Sequence, residues 1–506
     1  MTIALSIMAA VFGFAIVLGL LARRGHPMTL EQWSVAGGGF GSVFVFLLMA
    51  GELYTTFTFL GGSGWAYGKG APALYILCYP ALAYSLSYFL LPAIWRASRG
   101  RGFVSQADFF IARYGSRTLG VVVALVGVAA LVPYLVLQFK GLGIIVSEAS
   151  YGRVSPAAAI WAGAAALIVY VVISGVRGSA WTAALKDALI LVVVVAMGLY
   201  LPYHWYGGIG PMFDAIDKAR PDFLTLGGTG RSGSWFISTV LLTSIGVYTW
   251  PQFFGGVYTA RSDDVFRKNA VVLPIYQLFV LFVFFVGFAA TLKVPGLVGP
   301  DGDLSLFRLA KLSFSPWAIG VIGAAGLLTA LVPGSMLLIS AATILAKNVY
   351  KEMVPSASDR RVAIIARAMV PVLTLLSVLL TLHGGQAIVA LLLMGYNVVT
   401  QLFPALVLSL GPSPRISARA ALAGILAGEV TVAAVTLSGA SLATLLPGWP
   451  SVITELNVGV VALLVNVVVI LAVSLTNRRQ SPVTTVTRAD APVGERVVAA
   501  VISPLP

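Results

Sequence analysis

The sequence predicts an all-α polytopic membrane protein of about thirteen transmembrane helices, and three observations predict it. Of the 506 residues, 59% are hydrophobic and only 10% are charged, against roughly 25% charged in soluble domains. Apolar runs of about 20 residues, the length that crosses a hydrocarbon core, recur from end to end. Hydrophilic stretches are short everywhere except 203–232, 294–315 and 476–506. A soluble enzyme and a soluble binding module are both excluded. The single Cys78 excludes a disulfide scaffold and a cysteine metal site.

The spans run approximately 3–22, 41–62, 71–95, 118–148, 156–175, 178–202, 233–257, 271–293, 316–346, 362–382, 386–409, 416–438 and 452–475. The first is too long for a signal h-region and no small-residue cleavage site follows it, so it reads as a helix. Thirteen crossings put the termini on opposite sides. With the N-terminus outside, 22 of the 32 Lys and Arg fall inside, eight fall outside and two lie within spans. The positive-inside rule therefore orients the chain N-out and C-in, in a bacterial-type inner (plasma) membrane. The net charge of +14 is then a topology signal, and nucleic acid is not an expected partner. The Pro/Thr-rich tail 476–506 reads as disordered and cytoplasmic.

Two spans carry interruptions. Span 2 contains "FTFLGGSGWAYGKG", with Gly61, Gly62 and Gly64, and span 7 contains "SIGVYTWPQFFGGVYTARS", with Pro251, Gly255 and Gly256. An aromatic/apolar pair precedes each double glycine (Phe59–Leu60, Phe253–Phe254). The two spans stand first in five-span blocks, spans 2–6 and 7–11, and an odd block length inverts the second block relative to the first. Interrupted helices at matching places in two halves point to a binding site at the midplane. Span 9 adds a third break, at Pro333–Gly334 in "LVPGSMLLIS". The expected organisation is an N-terminal helix and cytoplasmic loop (1–40), a first repeat (41–202), an extracellular loop (203–232), a second repeat (233–409), two C-terminal helices (410–475) and the tail.

Four ionisable positions look embedded: Glu52, Lys140, Asp187 beside Lys186, and Glu429. A charge at the bilayer centre costs roughly 2.5–3.5 kcal/mol by the lower scales. Each is therefore either an ion or substrate handle or a buried pair that fixes packing. Glu52 coincides with the break of span 2. Lys140, in "FKGLG", has glycines beside it that permit close approach. Lys186–Asp187 reads as nearer the cytoplasmic end, snorkelling or paired locally. Glu429 lies outside the repeats and reads as structural. Thr55, Thr56 and Thr58 offer hydroxyls to a ligand or bond back to their own backbone. Tyr248 and Trp250 line a pocket or sit at an interface. His26 and His204 fall in loops and His383 at a helix end, so no metal site is expected. No GxxxxGK[ST] loop, Gly-x-Ser-x-Gly or paired catalytic carboxylates occur, so neither ATP hydrolysis, enzymatic activity nor any catalytic residue is expected.

The segments "GELYTTFTF", "ADFFIARYGSR", "SGVRGSAWTAALKD", "RKNAVVLP" and "PGSMLLISAATILAKNVY" resemble, in this order, the sodium:solute symporter family, most closely its bacterial monocarboxylate-permease branch. The resemblance implies a leucine-transporter-type core of two inverted five-helix repeats and alternating access. It further implies uptake of a short carboxylate such as pyruvate, lactate, acetate or propionate. Sodium-coupled members hold the ion between backbone carbonyls at the break of span 2 and two adjacent hydroxyls on span 9. Those hydroxyl positions fall here on Val332 and Pro333, the nearest hydroxyl being Ser335, and an Asp expected in the sixth span falls on Ala183. A hard cation wants a full shell of oxygens, so H+ is favoured over Na+ as the coupling ion, with no other cofactor. By the same resemblance the ion site lies around Gly51, Glu52 and Leu53. The expected substrate set is Tyr54, Thr55, Thr58, Lys140, Tyr248, Ser335 and Asn397. In it Lys140 supplies positive potential, while Glu52 carries a proton or answers Lys140 when the site is empty. The expected surroundings are the lipid bilayer, with the chain a monomer. The alternatives are a sodium-coupled symporter of another solute (an amino acid or a pantothenate-like acid) and a membrane ligand sensor. The sensor reading is disfavoured because no signalling module fits the 31 residues of 476–506.

Overall fold

The computed structural model describes residues 2–52, 54–227 and 231–478, and among these the only extended pairing is one isolated bridge. The chain begins with α1 (Thr2–Ala22) and the short α2 (Leu30–Val35), whose N-cap Thr29 accepts from the backbone of Gln32. The first broken helix follows. α3 (Ser42–Gly51) stops, a π-helical turn resumes at Phe57–Gly62, and α4 (Ser63–Lys69) completes it. Then come α5 (Tyr75–Ser98), α6 (Gln106–Tyr114), which starts on a Ser105–Asp108 capping box, and α7 (Arg117–Ala149). α8 (Pro156–Tyr206) folds at Gly175, whose φ of 59° and ψ of −161° are open to glycine alone at little cost. Trp33 O lies 2.7 Å from where a Cβ on Gly175 would be. α9 (Ile209–Ala219) closes the first half.

The second broken helix is α10 (Gly233–Gly246), a 3-10 turn (Val247–Thr249), extended Trp250, and α11 (Pro251–Tyr258), with Pro251 in the first turn where its missing N–H costs nothing. It is followed by α12 (Asp264–Gln277), α13 (Val280–Lys293), α14 (Ser305–Ser313), α15 (Pro316–Ile344), the short α16 (Lys351–Met353), α17 (Asp359–His383), α18 (Ile388–Val399) and α19 (Phe403–Ser409). Beyond them lie α20 (Ala418–Ser438), the one-turn α21 (Leu442–Leu445) and α22 (Ser451–Thr454), and α23 (Val458–Arg478), which packs on α20. α15 runs through the centre, enclosed along its whole most apolar stretch.

The two broken helices lie side by side and run in opposite directions. At one end Phe40 N donates to Thr259 O (2.8 Å) and Arg261 N to Phe40 O (3.0 Å), so the entry of the first meets the exit of the second. At the other end Trp65 and Trp235 rings stand 5.5 Å apart, so the exit of the first meets the entry of the second. This is the inverted relation that the five-span blocks predicted.

The structure differs from three expectations. The count of thirteen crossings is not confirmed: among the described residues ten helices are long and apolar enough to cross a membrane, with expected spans 5 and 6 joined in the one bent α8 and spans 2 and 7 broken into pieces too short to be counted. The breaks also lie elsewhere than the glycines suggested. Gly61, Gly62 and Gly64 are inside the resumed helix, and Gly255 and Gly256 are inside α11. The chain leaves the helix between Gly51 and Thr56, and again over Val247–Trp250. Third, Pro333 and Gly334 interrupt nothing: α15 passes through both, since enclosed membrane helices tolerate proline when neighbours satisfy the freed groups. Ser335 Oγ donates to Val332 O at 2.6 Å there. Most of the tail, 479–506, lies outside the described residues.

Candidate functional site

The break after Gly51 leaves carbonyls at a helix C-terminus without intrahelical donors, at the negative end of the helix dipole. Glu52 N donates to Leu48 O, Tyr54 N to Ala50 O and the Tyr84 hydroxyl to Met49 O, and the last of them, Gly51 O, is met by a cation. Lys186 Nζ, on α8, donates to Gly51 O and to Tyr54 O, both at 3.0 Å. Its side chain is wholly buried, and its ion pair with Asp187 measures 2.8 Å. Lys186 lies eleven residues beyond Gly175, about 16 Å along the axis and thus near the middle of a core of about 30 Å. Of the two expectations for Lys186, snorkelling or local pairing, the structure has the local pair with Asp187. A Cβ on Gly51 would touch Val332 Cγ1 (3.6 Å), Ala183 Cβ (3.8 Å) and Lys186 Nζ (3.9 Å). Two of the positions where the resemblance placed oxygen ligands thus present methyl groups, and an ammonium sits beside them. Ser335 is engaged with Ser179 Oγ at 2.7 Å.

On the Glu52 side of the same break is a cavity of about 30 Å³, room for about two water molecules. It lies between the two breaks: Glu52 comes from the first, and Val247, Trp250, Gln252 and Phe253 from the second. Tyr79 and Tyr84 of α5, Tyr134 of α7 and Tyr396 of α18 complete an aromatic box. Trp250 packs on Tyr134 (5.2 Å) and Tyr396 (5.3 Å). Glu52 Oε2 accepts from Gln252 Nε2 at 3.4 Å, while Glu52 Oε1 is buried without a hydrogen-bond partner. No cationic side chain lines this cavity among the described residues. Its positive element is the first turn of α11, which carries Gln252 and Phe253.

A larger cavity of about 680 Å³ opens at the Trp65 end, with Arg220, Arg231 and Asp303 on its walls. There Lys140 Nζ donates to Asp303 Oδ2 (3.0 Å) and Gln386 O (2.8 Å), and Asp303 Oδ2 also accepts from Ile388 N (3.0 Å). This knot fastens α7 to the start of α18 and to the loop before α14. Burial pushes the Asp303 carboxyl above the usual range, and neighbouring Lys140 and the Ile388 N–H pull it back.

Of the residues expected from the sequence, Glu52 reaches the cavity and Gly51 the lysine. Leu53 lies outside the described residues. Tyr54 is buried edge-on against Tyr276 (5.1 Å) and contributes its carbonyl. Thr55 Oγ1 accepts from Phe57 N (3.1 Å), starting the resumed helix, and Thr58 is buried within it. Lys140 has Asp303 rather than Glu52 as its partner, so the expected Glu52–Lys140 pair does not form. Tyr248 donates its hydroxyl to Ala83 O and packs on Phe253. Asn397 faces α23, where a Cβ on Gly459 would lie 2.6 Å from its Oδ1, while the preceding Tyr396 faces the cavity. Glu429 Oε1 is buried without a hydrogen-bond partner on α20, away from this site. Sequence reasoning singled out Lys186 but as a snorkelling or locally paired residue, and it missed Gln252 and the four tyrosines. Their signal was polar tips on otherwise apolar spans.

The model of the sodium:solute symporter family matches residues 33–428. The chain is 57% identical over 95% of its length, and 98% of the other, to the uncharacterized symporter YhjB of Bacillus subtilis. It is 30% identical, over 80% of this chain and 83% of the other, to a monocarboxylate transport permease protein of Rhizobium johnstonii. The solved structure of a Na+-coupled sialic acid symporter in a substrate-bound outward-open state superposes with a TM-score of 0.76, at 17% identity, over 95% of this chain and 98% of the other. That likeness shows the fold: a leucine-transporter-type core of two inverted five-helix repeats.

Proposed function

The chain belongs to the sodium:solute symporter family, and from that premise we propose that it imports a short monocarboxylate by alternating access, coupled to protons rather than sodium. It is an integral membrane, cation-coupled solute symporter. The name of the Rhizobium johnstonii relative supports the choice of monocarboxylate.

One observation carries the proton reading: Glu52 sits between the two broken helices, in the cavity, with one carboxyl oxygen lacking a partner. An ionised Glu52 repels a carboxylate in a box without cations, whereas a protonated Glu52 donates a hydrogen bond to it. The Gln252 amide and the first turn of α11 add donors, which offset the desolvation of the incoming acid. Substrate binding then promotes protonation, and protonation promotes binding by the same factor. Lys140, held in the knot with Asp303, drops out of substrate binding. With the N-terminus outside, the Phe40–Ala260 end is cytoplasmic and the Trp65 cavity is the outer vestibule.

Reconstituted vesicles with labelled pyruvate and an imposed pH or sodium gradient provide the test. Glu52→Gln, which mimics the protonated acid, should exchange substrate yet lose accumulation driven by the pH gradient. Normal proton-driven accumulation in Glu52→Gln, or a wild type that needs sodium and ignores pH, overturns the proton role. Competition by sugars alone, among a panel of mono- and dicarboxylates, amino acids and sugars, overturns the carboxylate reading.

A further inference from the structure

We propose that Lys186 is the protein's own cation, standing where a coupling sodium ion would be held, and that it makes the first break independent of sodium. The inference rests on the symporter reading and deepens it by naming what fills the ion position. The oxygens that meet the ammonium are those a cation would use: Gly51 O and Tyr54 O at 3.0 Å each, and the Asp187 carboxylate at 2.8 Å. Val332 and Ala183 present methyl groups where they approach Gly51. A sodium ion in the place of the ammonium would have these three oxygens and would have to complete its shell with water. A lysine suits this shell better, since its N–H groups serve the two carbonyls, its charge pairs with Asp187 and the cation remains tethered to α8.

The titratable groups around it agree. Asp187 is its counter-charge on the same helix, Glu52 feels its field from the break, and the phenols of Tyr54 and Tyr276 close the far side. Buried charges persist when paired and hydrogen-bonded, and this one is both. The ammonium also holds the end of α3 to α8, the contact that a released ion would otherwise make and break on every cycle. Here the cation never leaves, so the only ion moved through this half of the site is the proton at Glu52.

The test is thermal unfolding of the full chain in detergent, in sodium chloride and in equimolar choline chloride. This readout needs no substrate, so its failure is distinct from a failure of the carboxylate or Glu52 readings. Wild type should unfold at the same temperature in both salts. Lys186→Ala empties a three-oxygen site of net negative charge, so it should be less stable in choline and regain stability in sodium. Lys186→Arg should retain the indifference of wild type. Sodium that stabilises wild type as much as Lys186→Ala overturns the proposal, as does a Lys186→Ala protein with no response to sodium. Should Lys186→Ala fail to fold, Lys186→Ala with Val332→Ser, which returns a hydroxyl to the wall, takes its place with the same expected and overturning results.

Discussion

Replacing Asp187 by Asn would leave the Lys186 ammonium buried with no counter-charge. The side chains are 0% and 6% exposed, so solvent screens neither, and their charged atoms stand 2.8 Å apart. Removing one partner of such a pair costs about 3–5 kcal/mol. The Gly51 and Tyr54 carbonyls stay in place and keep part of the ammonium's solvation, which puts the expectation at about 3 kcal/mol, or two powers of ten in the unfolding equilibrium. Removing both charges is the informative control. In Lys186→Met with Asp187→Ala no charge is stranded, and the remaining cost is two carbonyls without donors, about 1 kcal/mol each. The double variant should therefore be more stable than Asp187→Asn, a reversal that additive damage cannot produce. Unfolding in detergent of the wild type, the single variants and the double variant reads this out. An Asp187→Asn protein as stable as wild type, or a double variant damaged by the sum of the singles, would refute a charged Lys186 at the break.

Gln252→Leu removes the amide that faces Glu52 and should raise the KM for acid uptake about tenfold, the worth of one hydrogen bond to a charged group. Initial rates of labelled uptake, with membrane yield as control, check it. Asp303→Asn cuts the knot with Lys140. The folded protein raises the Asp303 carboxyl above its usual range, mainly by burial, so the native state holds that proton more tightly than the unfolded chain. The stability from this group is thus present at low pH and lost as pH rises through the raised value. The wild-type midpoint, relative to that of Asp303→Asn, should fall across that window, and a constant difference would count against it.

The membrane class and the inverted blocks were legible because apolar run length leaves few alternatives, and Glu52 stood out as a carboxyl within an apolar run. The breaks were misplaced for an identifiable reason. Glycine marks close approach as well as interruption, and here approach won. A Cβ on Gly61 would lie 2.9 Å from Ile388 Cγ2, and one on Gly64 would lie 2.9 Å from Gly302 backbone. The actual break follows Gly51, where the freed carbonyls find a donor on a helix some 130 residues away, information that no local window holds. Lys186 was read only as a locally paired residue because its second set of partners, the Gly51 and Tyr54 carbonyls, lies on a distant stretch of the chain. Asn397 failed by one residue: the right helix was chosen, but Tyr396 occupies the phase that faces the cavity.

The backbone bonds between Phe40 and the Thr259–Arg261 strand-like exit have a consequence for how such a chain can diverge. They are made by main-chain atoms, so apart from proline no substitution deletes the donors that join the two broken helices. Side chains elsewhere can therefore change while these backbone bonds keep the two broken helices in register. The part of the machine that must not change has been placed where ordinary mutation cannot reach it.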